Sequence, residues 1–271
     1  MIGGVSHDSD AAAPAGLDTA VANVARVYDY MLGGKDNFAA DRDLGDQLLR
    51  AFPDSAWIAR QNRRFLGRAL RYCAQQGLGQ FLDLGSGLPT MDNVHEVARR
   101  VIPGAAVVYV DNDRVALTHA NALLATSDGV AAVFGDLREP GKILADAAAT
   151  GAIDLGRPLV LLLVAVLHFL TDDHDPHGIV SVLTGALPPG SHLILSHATH
   201  QTRPAESARA RAMYRAASSP LATRSHDEIA AFFAGLDLVP PGLVATTLWR
   251  PDGPVPASAT ADIYAGIGRK P

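Results

Sequence analysis

The chain has 271 residues, 48% of them hydrophobic and 19% charged, and carries a formal net charge of −5. That length and apolar content suffice to bury a sizeable core in a single α/β unit. The mild acidity argues against a dedicated nucleic-acid surface, which needs a basic patch or stripe, and the lone cysteine, Cys73, excludes an internal disulfide framework and fits a reducing cytoplasm.

Residues 1–17 lack the basic and apolar blocks of a signal peptide and are expected to form a disordered lead-in. A helix then runs to Met31 and Leu32, where Gly33-Gly34 can close it in a left-handed cap. Lys35, Asp36 and Asn37 occupy an exposed turn before a second helix, and physics alone reads the pair as a helical hairpin. Cys73 belongs to a further amphipathic helix, as a small core or boundary residue.

The most informative stretch is FLDLGSGLPT, residues 81–90. An apolar strand delivers Asp83 and then Gly85, Ser86 and Gly87 into a tight turn, where glycine lets the backbone approach a ligand and the next helix aims free amides at it. An ordinary Gly-rich strand-to-helix turn has the same look. A dinucleotide site asks for a third glycine where Thr90 stands, preceded by Pro89, which counts against a nicotinamide cofactor. The acid two residues before the first glycine resembles motif I of the class I S-adenosylmethionine (SAM) methyltransferases.

The spacing that follows is that of a doubly wound sheet. After a helix over 93–101, the run AAVVYVDND ends a strand in Asp111, Asn112 and Asp113, and an acid at that tip is placed to accept both ribose hydroxyls of a nucleotide. After a helix over 115–124, VAAVFGDLR ends at Asp136, whose side chain, with the backbone of Leu137, can read an adenine edge. Asp113 and Asp136 equally suit helix capping. Further helices are expected over 139–150, 176–186 and 205–217, and one opened by the Ser225/Glu228 capping-box signature and ending near Gly235. Strands are expected over 159–166, 192–196, 242–249 and 261–267, the last two as an antiparallel pair. The run 159–167 is too short to span a bilayer, which takes roughly 20 residues, and reads as a strand buried on both faces.

The order FLDLGSGLPT, NVHEVAR, VVYVDND, GDLR, LLLVAVLHFL, LPPGSHLILSH and YAGIGRKP, with ARVYDYMLGGKDNFAADRD over 25–43 and NRRFLGRALRY over 62–72, resembles an actinobacterial SAM-dependent methyltransferase family long carried as a domain of unknown function. The resemblance implies a Rossmann-like class I fold: a seven-stranded, mostly parallel sheet with an antiparallel last strand. It implies a helical cap over 18–77 and a SAM-binding core over 78–271, one structural unit with the cap. It also makes Tyr28, Lys35, Asn37 and Arg63 candidates for lid or carboxylate contacts, Arg63 being suited to a bidentate grip on the methionine carboxylate. It names no acceptor.

The histidines divide. His174, Asp175 and His177 look like a metal cluster, but Asp175-Pro176 reads better as an N-cap followed by proline at the first helical position, and no metal is expected. His168 and His197 follow the ends of two successive strands, where a general base for O- or N-methylation could stand or a rim histidine could pack. No Asn/Asp-Pro-Pro-aromatic motif follows the fourth strand, which removes the best argument for methylation of a nucleic-acid base. The reading is a methyltransferase acting on an O or N atom of a small molecule, without nucleic acid or membrane, and with a homodimer left open. A SAM-binding regulatory protein without turnover is its rival, and a nicotinamide oxidoreductase stands third.

Overall fold

The computed structural model describes residues 18–88, 92–124, 128–255 and 262–271; the expected lead-in, together with Pro89, Thr90 and Ala261, lies outside the described residues. Three helices come first: α1 (Val24–Leu32), α2 (Ala39–Ala51) and α3 (Ser55–Gln75). The Asn23 side chain accepts from the amides of Ala25 and Arg26 to start α1. Gly33, at φ 88°, ends it in the left-handed conformation that glycine adopts without a Cβ penalty. Between α1 and α2 the turn folds back on Asp29, whose carboxylate accepts from the Asp36 amide and from Asn37 Nδ2.

Strands and helices then alternate: β1 (Gln80–Leu84), α4 (Val94–Arg99), β2 (Ala106–Asp111), α5 (Arg114–Leu124), β3 (Val130–Phe134), α6 (Pro140–Ala149), β4 (Val160–Val164), α7 (Pro176–Gly185) and β5 (His192–Ala198). α8 (Pro204–Met213), α9 (His226–Ala230), β6 (Asp237–Leu238), β7 (Val244–Ala245) and β8 (Ile263–Arg269) complete the chain. The sheet runs β3-β2-β1-β4-β5-β8-β6 with β7 also on β8. β1 to β5 are parallel neighbours and β8 lies antiparallel to β5. The order reverses between β1 and β4, the switch point outside which doubly wound sheets bind their ligands. Side chains alternate across the sheet. Leu82, Val108, Leu161 and Leu163 pack with Ile143 of α6 and Leu183 of α7 on one face, while Phe81, Val107, Leu162 and Ile194 pack with Phe65 and Leu70 of α3 on the other.

The C-terminal region departs from the expected seven strands. Among the described residues the sheet has eight, and the strand expected over 242–249 shrinks to the two residues of β7. Trp249 is fully buried beneath α3, edge-on to Phe65, and Arg68 donates to the carbonyls of Thr246 and Trp249, so a side chain takes the backbone bonds that a neighbouring strand would have made. The helix expected over 205–217 gives way after Met213 to a 3-10 turn, Tyr214–Ala216, and the one after Ser225 does so at Ala231–Phe233.

One buried ionic network ties α1 and α2 to the chain just after β2. Arg26 Nε donates to Asp41 Oδ2 at 2.9 Å and its Nη1 to Asp113 Oδ2 at 3.3 Å, all three side chains lying at or below 3% exposure. Asp113 also accepts from the Val115 amide, the capping role weighed for it above, and its own amide donates to Asp111. Asp41 is committed on every side: it accepts from the amides of Asn23 and Phe38 as well.

Candidate active site

A cavity of about 450 Å³ opens between helices α1 to α3 and the C-terminal ends of β1 to β5, within the range of roughly 300–1,000 Å³ that holds small ligands. On the sheet side the sequence-predicted residues Asp83, Gly85, Ser86, Gly87, Asp111, Asn112, Asp136 and Leu137 all line it. Gly85 sits at φ 71°, and a Cβ there would lie 2.3 Å from Val166, so both backbone angle and space require glycine. Asp111 Oδ2 accepts from the Gly87 amide at 2.7 Å and Oδ1 from the Asp113 amide at 2.8 Å, so the acid at the β2 tip holds the glycine loop against β2.

Burial acts differently on the three acids. Desolvation lifts Asp83 to about 7, opposed by the nearby Arg63 guanidinium and reinforced by Asp111. Asp111 is also raised by burial, against the pull of its amide donors. Asp136 is lowered, chiefly through its hydrogen bonds from Arg138.

On the cap side Tyr28 and Arg63 line the cavity, and so does Asn62, which the sequence reading missed. Tyr28 donates to the Ala59 carbonyl and accepts from Asn62 Nδ2, leaving Asn62 Oδ1 buried with no partner; Arg63 Nε is likewise buried and unpartnered. An orphaned acceptor and an orphaned donor on neighbouring residues are what a zwitterionic ligand would satisfy. Lys35 and Asn37 are corrected: neither lines the cavity. Lys35 is exposed, and Asn37 is spent on Asp29 and the Gly34 carbonyl.

His168 lines the cavity from a 3-10 turn after β4; His197 does not, and drops out as a base. His197 is fully buried, with Nε2 accepting from Arg224 and Nδ1 bonded to the Ala198 carbonyl, so no nitrogen is left for a substrate. Desolvation, helped by the positive charge of Arg224, holds His168 down to about 3, far too low for a base at neutral pH. Phe52, Phe169, Leu170 and Tyr214 give this end of the cavity an apolar wall. Asp175 caps α7, accepting from the Gly178 amide, and the described residues include no metal-holding group of His, Cys, Asp and Glu. No described helix is long and apolar enough to cross a membrane.

A parallel sheet whose order reverses at its centre, an acid-flanked glycine loop at that switch point and a cavity above it make this a Rossmann-like fold with a nucleotide-type site. The family model described as S-adenosyl methyltransferase matches residues 10–271, and the chain belongs to that family. A DUF574 family protein from Streptomyces avermitilis is similar at 40% identity and TM-score 0.89, covering 94% of this chain and 99% of its own. A candidate methyltransferase from Thermobifida fusca is similar at 42% and 0.90, covering 96% and 99%. No curated protein matches the chain.

Proposed function

We propose that the enzyme transfers the sulfonium methyl of SAM to an oxygen or nitrogen of a small molecule held between the cap and the sheet. The observation that carries this is the cavity that brings the unpartnered Asn62 Oδ1 and Arg63 Nε together with Asp83 and with the apolar side chains of Phe52, Phe169 and Leu170. Asp111, beside Asn112, would accept the ribose hydroxyls, and Asp136 with the Leu137 amide would take the adenine edge. Asp83 and Asn62 Oδ1 would receive the methionine ammonium while Arg63 takes the carboxylate. When bound, SAM supplies a methyl group on a positively charged sulfur. The protein's part is to align the acceptor with that methyl and to exclude water, which suits a site in which His168, at the end of β4, is not basic. The same reading puts the reaction in the cytoplasm, the compartment that fits a chain whose single thiol, Cys73, is buried and free.

Incubation of the enzyme with methyl-labelled SAM and a cell extract, followed by fractionation, tests the acceptor class. Label is expected on a small molecule other than SAM and its breakdown products. Transfer of label to protein or nucleic acid, or to no acceptor at all, would overturn the proposal.

A further inference from the structure

His168 is the polar group that follows β4 into the cavity, and its hydrogen-bonding state is imposed from behind. Arg224, 4% exposed, donates from Nη1 to His197 Nε2 at 2.9 Å. A guanidinium only donates, so His197 carries its hydrogen on Nδ1 and gives it to the Ala198 carbonyl at 2.8 Å. The Arg224 backbone amide donates to that same carbonyl. Ala198, held this way, turns its own amide onto His168 Nδ1 at 3.3 Å. A ring nitrogen that accepts is unprotonated, so neutral His168 bears its hydrogen on Nε2. No hydrogen bond to Nε2 is made by the described residues, and the ring belongs to the cavity lining.

We propose that Arg224 is a positioning residue which, through His197 and Ala198, fixes His168 as a neutral Nε2–H donor, and that this donor orients the methyl acceptor by an oxygen lone pair. The acceptor class is then a molecule with a carboxylate or phenolate oxygen beside an apolar body, matching Phe169 against the His168 ring, Tyr214 against Phe169, and Leu170 in the same lining. In the transfer to a carboxylate or phenolate, a lone pair of the anionic oxygen forms the new bond to the methyl carbon, the carbon–sulfur bond breaks with its electron pair going to sulfur, and no proton has to leave the acceptor. His168 neither gains nor loses a proton. The charged and titratable groups behind it are consistent with this. Arg224 also donates to Asp172 at 2.6 Å and to the carbonyls of Leu167 and Leu170. His177 stacks on Phe232, whose ring also meets His197.

The meaning of the donor rests on the methyltransferase reading, but its state can be measured apart from it. Nitrogen-15 histidine spectra of the wild-type protein, free and with S-adenosylhomocysteine, are recorded from pH 5 to 9, with the His168 signal assigned by its loss in His168→Gln. A neutral ring with hydrogen on Nε2 throughout is expected, and in Arg224→Gln or Arg224→Lys a ring that exchanges tautomers or titrates. A wild-type ring that titrates in this range, or carries its hydrogen on Nδ1, would overturn the proposal, as would Arg224 variants that fold and leave the ring unchanged. Benzamide and benzylammonium, one aromatic body with and without an oxygen lone pair, are then added in excess. Benzamide alone is expected to shift the Nε2 signal; a shift with benzylammonium, or with neither, contradicts the donor role. Failure of S-adenosylhomocysteine to bind, read separately by calorimetry, would strike the methyltransferase reading instead.

Discussion

Asp83→Asn is expected to raise the melting temperature of the free enzyme at pH 8 and to remove the pH dependence of cofactor binding. Asp83 is buried at the end of β1, and its carboxyl stands near 7 instead of the ordinary 3.8. Its folded-state value is therefore raised, and folding takes up a proton between the two values. Below pH 4 both states hold that proton and Asp83 contributes no penalty. As pH rises from about 4 to 7 the unfolded chain ionises freely while the folded one resists, so stability is lost across that window. The full penalty, present above pH 7, is about 4 kcal/mol, or roughly 10 °C in melting temperature. Asparagine has nothing to ionise, so the variant's advantage at pH 8 should vanish near pH 4. Cofactor binding runs the other way. An ionised Asp83 attracts the ammonium and sulfonium charges, so wild-type affinity for SAM should climb from pH 5 to 8, while the variant stays weak and flat. Thermal melts and calorimetry at four pH values decide this. Equal melting temperatures at pH 8 would show that Asp83 carries no such burden.

Arg26→Met should destabilise the protein by about 3 to 5 kcal/mol, because it strands buried carboxylates that the guanidinium now neutralises. Asp41 lies at 0% side-chain exposure and Asp113 at 1%, so water cannot take over as partner. The loss, about 10 °C or more in melting temperature, should be partly recovered in Arg26→Met/Asp41→Asn, which removes the stranded charge along with its partner. A double variant no more stable than the single one would mean that packing of the Arg26 stem, not charge, is what matters. Arg26 also stands two residues from Tyr28, and its partner Asp113 is bonded to Asp111. The same variant should therefore loosen the cap at the ribose end of the site.

The parts of the site that lie on strand tips were legible because they are local. Asp83, Gly85, Asp111 and Asp136 each close an apolar run, and the strand–helix period puts such ends on one edge of a parallel sheet. What escaped was pairing across distance. Arg26 meets Asp113 over 87 residues, and Asn62 is oriented by Tyr28 over 34. Lys35 and Asn37 looked available because they follow a glycine pair in a polar turn, yet Asp29, earlier on α1, gathers that turn inward. The shortened β7 has the same origin: alternation in 242–249 suits a strand, but Arg68, 178 residues before Thr246, claims its carbonyls. His168 follows a strand end and lies in the cavity lining, a placement that its position after an apolar run suggests. Its tautomer, however, is dictated by Ala198 and Arg224, which no local pattern announces.

If the N-terminal helices and the sheet edge together grip the amino-acid end of SAM, Arg63 should matter only to ligands that carry that end, and a calorimetric comparison shows whether it does. Wild type and Arg63→Ala are titrated with S-adenosylhomocysteine and with methylthioadenosine, which keeps the adenine and ribose but lacks the amino acid. Wild type should bind S-adenosylhomocysteine one to one. Arg63→Ala should lose about 1.5 to 3 kcal/mol, roughly 10- to 150-fold in affinity, for that ligand and next to nothing for methylthioadenosine. Equal losses for both ligands, or no loss for either, would contradict the placement of the methionine end between Asp83, Asn62 and Arg63.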